Sequence, residues 1–300
     1  MSGPDLPPDL PHDLRASLPR PPGPTTRRRV AEHRVGEDGA ELVRRHEDRL
    51  VTEEPLELRG TWPGQPGRRL WVTMRTPGHD FELAAGWARH EGLFDDRDVA
   101  EGALAAVAYC TDVDLEPEEA FNVVTLRLAR APRSEPSARH DALSAGSSAC
   151  GVCGADSVAD ALSGVTGAGW DGERPGATVV RGLPDRLREA QQVFARTGAS
   201  HAAGLATADG ELLVVREDVG RHNALDKVTG ARVLAGEPAA GACLVVSGRI
   251  GFELVQKAVA AGVGALVAVG APTSLSVRLA AEHGLDLWGF TGPRRAVRYA

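Results

Sequence analysis

Residues 242–290 read "ACLVVSGRIGFELVQKAVAAGVGALVAVGAPTSLSVRLAAEHGLDLWGF". Three short apolar runs, "ACLVVSG", "ALVAVG" and "LDLWGF", alternate with two segments of helical character, "FELVQKAVAAG" and "TSLSVRLAAEHG". Strand–helix alternation with short Gly turns predicts a parallel sheet covered by helices. In such a sheet, ligands bind outside the carboxyl ends of the strands.

Two strand-to-helix turns at that edge have suitable chemistry. Ser247, Gly248, Arg249 and Gly251 lead into a helix starting near Phe252. The glycines let backbone N–H groups approach a ligand, the helix N-terminus favours an anion, and Arg249 adds a charged fork. In the next turn, Thr273 and Ser274 place hydroxyls at a helix start. Either turn alone is as well explained as a capped helix, and neither matches a P-loop or a G-x-G-x-x-G pattern. Side by side they suggest a phosphate or nucleotide site.

The tail "WGFTGPRRAVRYA" carries Arg294, Arg295 and Arg298, which can clamp an anion or form an ordinary charged terminus. Upstream, "VVREDVGRHNALDKVTG" (214–230) is dense in polar groups. Asp218 and His222 are candidate ligand contacts there, and His222, Asp226 and Lys227 lie one turn apart on a helix. A solvated helix start capped by Asp218 explains the same pattern. "AAGLATADGELLVVRED" predicts a hairpin turning at Asp209–Gly210, and "DRLREAQQVFARTG" (185–198) predicts a helix ended by Gly198.

The first half reads differently. "RRHEDRLVTEEPLELRG", "RRLWVTMRT", the residues around Val107 and the alternating "FNVVTLRLA" (121–129) predict strands. "GHDFELAAGWARHEG" (78–92) predicts a helix capped by Asp80. The division is therefore a disordered extension at 1–26, a β-rich subdomain at 27–130, a flexible loop at 131–154 and an α/β domain at 155–300. Eight of the 20 prolines fall in the first 24 residues, and residues 130–149 carry Pro, Ser and charge without a period.

A hydrophobic content of 42 % supplies a core without a disulfide framework. The net charge of −7 argues against sequence-independent nucleic-acid binding. No run approaches the roughly 18 apolar residues of a membrane helix, and prolines stand where an export signal would have its apolar core. A cytoplasmic protein is expected, in which a CxxC pair is more often catalytic or metal-binding than structural.

Four cysteines occur. Cys243 and Cys110 sit in apolar strand-like runs. Cys150 and Cys153 lie in "GSSACGVCGADS" (146–157), just before a helical segment at 155–164. A structural zinc site needs further ligands at matching spacing, and no second CxxC exists, so no metal is expected. A helix start lowers a thiol's pKa from about 8.5 toward neutrality and raises its thiolate fraction. A low-pKa pair in a Gly-rich loop suits group transfer, such as accepting a sulfane sulfur.

"SSACGVCG", "REDVGRHNALDKVTG", "VVSGRIGFELVQKA" and "APTSLSVRLAAEHGLDLWGF", in this order, resemble the formate dehydrogenase accessory sulfurtransferase family. "TEEPLELR" and "TMRTPGHDFELAAGW" match its N-terminal part, so the resemblance spans roughly residues 50–290. It implies an α/β fold (α+β overall): a cytidine deaminase-like three-layer sheet with helices on both faces, plus a smaller N-terminal β-rich subdomain. It also implies that Cys150 takes persulfide sulfur from a cysteine desulfurase, with Cys153 assisting. The sulfur would pass to the molybdenum or tungsten of bis-molybdopterin guanine dinucleotide before insertion into the formate dehydrogenase apoenzyme. The family's cofactor-binding segment falls on Phe290, Thr291, Gly292, Pro293, Arg294 and Arg295, where Gly292 and Pro293 interrupt its basic stretch. A GDP-like guanine nucleotide moiety fits the two turns, and the family's members are commonly homodimers.

Three other functions compete. A zinc nucleobase deaminase needs H-x-E and a Pro before its CxxC, but Ala149 precedes Cys150 and the chain has no H-x-E. A chaperone for the guanylated cofactor would tolerate loss of Cys150. A thiol–disulfide oxidoreductase would cycle the pair through a disulfide.

Overall fold

The computed structural model describes residues 21–110, 121–134 and 169–300. Cys150, Cys153 and the helical segment expected at 155–164 lie outside the described residues. β1 (Thr25–Val35) and β2 (Glu41–Val51) pair antiparallel as a two-stranded sheet with mostly exposed side chains. β3 (Glu54–Trp62) and β4 (Gln65–Arg75) follow, then helices α1 (Asp80–His90) and α2 (Asp96–Ala100), then β5 (Leu104–Tyr109) and β6 (Val123–Leu128). The last four strands form a sheet in the order β4-β3-β6-β5, with β3 and β6 parallel. Leu56, Leu58, Val124 and Leu126 pack there against Leu83 and Trp87 of α1. Asp80 does not cap α1 as expected. His79, in a left-handed conformation, holds the N-cap without a side-chain bond, while Asp80 is buried against Arg75.

The second half runs α3 (Ala177–Ala190), α4 (Gln192–Thr197), β7 (His201–Ala206), β8 (Leu212–Asp218), α5 (Arg221–Leu234), β9 (Cys243–Val246), α6 (Phe252–Ala261), β10 (Ala265–Ala268), α7 (Ser274–Glu282), β11 (Asp286–Gly292) and β12 (Arg295–Arg298). Its six strands are ordered β12-β11-β10-β9-β7-β8. Every residue of β9 and β10 is buried, as continuous apolar runs demand of strands covered on both faces. Val180, Leu183 and Leu187 of α3 cover one face. Leu225 of α5, Leu254 and Val255 of α6 and Leu279 of α7 pack in the core on the other. The fold is therefore α+β, with a three-layer unit of the kind expected.

β9, β10 and β11 are parallel, as the alternation in residues 242–290 predicts, and β7 and β8 form the hairpin expected at Asp209–Gly210. Beyond them, β7 pairs antiparallel with β9, and β12 with β11. One expectation needs correction. The helix expected from Asp185 starts instead at Ala177 and runs through Pro184. A proline disfavours a helix interior, but Val180, Leu183 and Leu187 bury fully against the sheet only if the helix continues.

The two halves meet where α1 crosses α5. A Cβ on Gly86 would lie 1.8 Å from the Asp226 carbonyl oxygen, and one on Gly230 would lie 1.7 Å from that of Glu82. Only glycine permits this backbone approach. Buried ion pairs surround the crossing: Arg75 with Asp80 at 2.9 Å, Lys227 with Asp218 at 2.7 Å, and Lys257 with Asp226 at 2.6 Å; His90 Nδ1 also hydrogen-bonds Asp226, at 2.6 Å.

Candidate functional site

Because β9, β10 and β11 are parallel, their carboxyl ends share one edge of the sheet. There Ile250 bridges Pro272, Gly270 N–H donates to the Gly248 carbonyl at 3.1 Å, and Phe290 N–H donates to the Gly270 carbonyl at 3.0 Å. The structure thus brings together the turn at Ser247–Gly251, the turn at Thr273–Ser274 and the start of the 290–295 segment. Gly251 is the N-cap of α6, and the space where its side chain would stand is open. Arg249 is exposed beside it. The Thr273 hydroxyl is already engaged, in a capping box with Ser276 at the start of α7.

Phe290 has φ +49 and is 44 % exposed, with the Arg295 guanidinium 5.1 Å from its ring centroid. A positive φ on an aromatic residue is an outlier that tends to mark a functional position. Arg294 and Arg295 are exposed. Thr291, next in the chain, is buried.

A cleft of about 610 Å³ opens between the α3–α4 joint and the β11–β12 turn. Ser247, Thr291, Gly292 and Pro293 line it; Gly248, Arg249, Gly251, Thr273, Ser274, Phe290, Arg294 and Arg295 do not. Ser247 Oγ accepts from Ala202 N–H at 2.9 Å and stands 3.4 Å from His201 Nδ1. Burial, and then the positive charge of Arg221, push the His201 pKa down from its ordinary value.

Asp218 and His222 are placed differently from the ligand contacts expected of them. Asp218 is fully buried and accepts from Thr76 N–H, Gly220 N–H, Asn223 Nδ2 and Lys227 Nζ. It ties β8 to residues beyond β4 and does not cap a solvated helix; Gly220 is the N-cap of α5, and most of that helix is buried. His222 Nε2 lies 2.9 Å from Glu253 Oε2. Asp226 and Lys227 join separate ion pairs rather than sharing a face with His222.

Most of the cleft lining escaped the sequence, Arg188, Gln191, Phe194 and His201 among it. Gln191 and His201 belong to no motif, and their proximity is a product of tertiary packing. Glu217, noted only as part of a polar cluster, holds the first turn of α4 by accepting from Val193 and Phe194 N–H at 2.7 and 2.8 Å.

Cys243 is buried, and burial raises its thiol pKa, which suppresses the reactive thiolate. Cys110 is half-buried at the end of β5. No cluster of metal-ligating side chains occurs among the described residues, and no helix among them is long and apolar enough to cross a membrane.

Residues 51–300 match the FdhD/NarQ family. The chain belongs to that family. It is 45 % identical over 272 residues to the sulfur carrier protein FdhD of Streptomyces avermitilis, spanning 89 % of this chain and 90 % of the relative. With the FdhD of Mycobacterium tuberculosis it shares 41 % identity over 267 residues, 87 % of this chain and 93 % of that one. Its fold is similar to that of a Desulfotalea psychrophila protein assigned as a formate dehydrogenase accessory protein. There the TM-score is 0.64 at 18 % identity, over 91 % of this chain and 96 % of the other. Membership of this family supports a sulfur-carrier role in general.

Proposed function

We propose that the protein carries persulfide sulfur from a cysteine desulfurase to the molybdenum or tungsten of bis-molybdopterin guanine dinucleotide, as an accessory to formate dehydrogenase. The observation that carries this reading is the family match over residues 51–300, which spans both the CxxC pair and the cleft edge. In the first step the Cys150 thiolate attacks the terminal sulfur of the donor persulfide. A bond forms from Cys150 Sγ to that sulfur, the donor's S–S bond breaks, and the donor cysteine leaves as a thiolate. No net oxidation occurs. In the second step the Cys153 thiolate attacks Cys150 Sγ, closing a disulfide and releasing sulfide to the metal, which is cargo here. A cellular thiol reductant then reopens the disulfide.

Guanine nucleotide moieties of the cofactor would lie in the cleft, with phosphate near the open N-terminus of α6, Ser247–Gly251 and Arg249, and with Arg294 and Arg295 beside the exposed Phe290. Asp218 acts as a positioning residue, holding the β8–α5 turn against the first half of the chain. The protein would work in the cytoplasm as a homodimer and deliver the sulfurated cofactor to the apoenzyme.

Peptide mass spectrometry after incubation with a cysteine desulfurase and cysteine tests the carrier step. A reductant-labile gain of one sulfur on the Cys150–Cys153 peptide is expected. A Cys150→Ala protein that fully restores formate dehydrogenase in a deletion strain would overturn this scheme in favour of a cofactor chaperone.

A further inference from the structure

We infer that the free edge of β2 pairs antiparallel with the same edge of a second copy of this chain, about a twofold axis at His46. This rests on the homodimer reading above and adds to it the surface that joins the copies.

β2 reads "ELVRRHEDRLV" from Glu41 to Val51. Turned antiparallel on itself about His46, it sets Arg45 opposite Glu47, Arg44 opposite Asp48 and Leu42 opposite Leu50. Directly opposed residues share a face of the sheet, with Cβ atoms about 4.5–5.5 Å apart. Arg44, Asp48 and the two leucines therefore fall on one face, and Arg45 and Glu47 on the other. A twofold contact is self-complementary, so each of these pairs forms twice.

Other strands at sheet edges lack this pattern. Turned about Leu70, β4 opposes Arg69 with Trp71 and Arg68 with Val72. The same operation on β8 sets Leu213 against Glu217, and on β12 it sets Arg295 against Arg298. β1 about Val30 matches only Arg28 with Glu32 and leaves Arg29 against Ala31. Charges on an edge strand ordinarily guard it against pairing. Those of β2 instead meet their opposites in a second copy.

The groups concerned are available. β2 pairs with β1 alone, and no residue of either strand is buried. Leu42 is 58 % exposed and Leu50 43 %. Arg44 and Arg45 make no hydrogen bond or ion pair among the described residues. The Asp48 carboxylate accepts from the Arg49 N–H, and Glu47 meets Arg27 at 3.5 Å where both side chains are more than half exposed. A two-stranded ribbon is marginally stable in water, and edge pairing makes it half of a four-stranded sheet. All of β2 but Val51 precedes the residues that match the family, so membership does not supply this contact.

The test is sedimentation velocity of the full chain over a concentration series, on the wild type, Arg45→Glu, Glu47→Arg and an equimolar mixture of the two variants. The wild type is expected to dimerise. Arg45→Glu opposes acid with acid and Glu47→Arg base with base, so each alone is expected to dimerise at least about tenfold more weakly. In the mixture an acid of one variant faces a base of the other at both positions, and association is expected to return toward the wild-type level. Misfolding of either variant would not be repaired by mixing, so recovery reports the pairing itself. Variants that dimerise like the wild type overturn the inference and leave a dimer joined elsewhere. Weakened variants that do not recover on mixing overturn it as well. A wild type that stays monomeric throughout overturns both this inference and the homodimer reading, while the persulfide assay on Cys150 still judges the carrier reading alone.

Discussion

The α1–α5 crossing and the cleft both bury polar side chains to a few per cent exposure or less, yet they treat them oppositely. At the crossing, Arg75 meets Asp80, Lys227 meets Asp218, and Asp226 meets both His90 and Lys257. The other nitrogen of His90 stands 3.0 Å from the Thr229 hydroxyl. In the cleft, Gln191 Nε2 and Thr291 Oγ1 meet no protein group. Polar groups matched to each other fix one geometry, because breaking any pair strands its partner in a low dielectric. Unmatched ones are a local defect unless something outside the chain completes them. Burial alone therefore does not say what a polar residue does; its partners have to be counted as well.

The largest effect that can break this contrast is at the crossing. Asp218→Ala leaves Lys227 buried without its carboxylate, and Thr76 and Gly220 N–H without an acceptor, so a loss of about 3–5 kcal/mol is expected in urea unfolding. A loss under about 1 kcal/mol would mean that the pairs there are idle. Gly230→Ala forces a methyl into the Glu82 carbonyl and should cost about 3 kcal/mol as the helices separate. Gly251→Ala makes the control, since a Cβ at that position meets nothing within 4 Å and its stability should stay within about 0.5 kcal/mol.

The same contrast explains what could be read from the sequence. The alternation in residues 242–290 was legible because buried strands and their covering helices leave continuous apolar runs and Gly stops. The sharing of one edge by Ser247–Gly251 and Thr273–Ser274 follows from it. The hairpin of β7 and β8 was legible at Asp209–Gly210, but the antiparallel pairing of β7 with β9 and of β12 with β11 was not, since pairing partners leave no mark in an apolar run. Asp80 was read as a helix cap, and Asp218 as a ligand contact or a cap, because an acid before a helix usually is exposed there. Their actual partners, Arg75 and Lys227, are chosen by packing between distant segments. Gln191 and Thr291 are 100 residues apart in the chain, and their joint presence in one cleft has no local signal at all. Cys150 and Cys153 were singled out by their spacing, and both lie outside the described residues.

Acid titration separates the paired groups from one another. Burial pushes His90 down to about 4 from an ordinary value of 6.5, with Asp226 opposing and the positive Lys257 adding to the fall. Between those values the unfolded chain binds a proton that the folded chain refuses. Stability is full above pH 6.5 and is lost as the pH falls toward 4, by up to about 3 kcal/mol. Glu82 follows in a lower window. Burial pushes its carboxyl up, but the Arg216 hydrogen bond, with His79, pulls it down to about 2 from 4.5. Its contribution is present above pH 4.5 and fades toward pH 2. Urea midpoints taken stepwise from pH 7.5 to 3 should show both slopes. His90→Asn, whose amide can still donate to Asp226, should flatten the upper slope and keep the lower.

The smallest effect tests the cleft side and has the opposite sign. Thr291→Val swaps an unpaired buried hydroxyl for a methyl of nearly the same size. At a paired threonine this exchange destabilises, because the partner is stranded. At an orphan it removes only a desolvated group, so a gain of about 1 kcal/mol is expected, seen as a rise of about 2–3 °C in melting temperature. If Thr291→Val is instead destabilised like the variants at the crossing, its hydroxyl has a partner in solution, and the two regions do not differ in the way their geometry indicates.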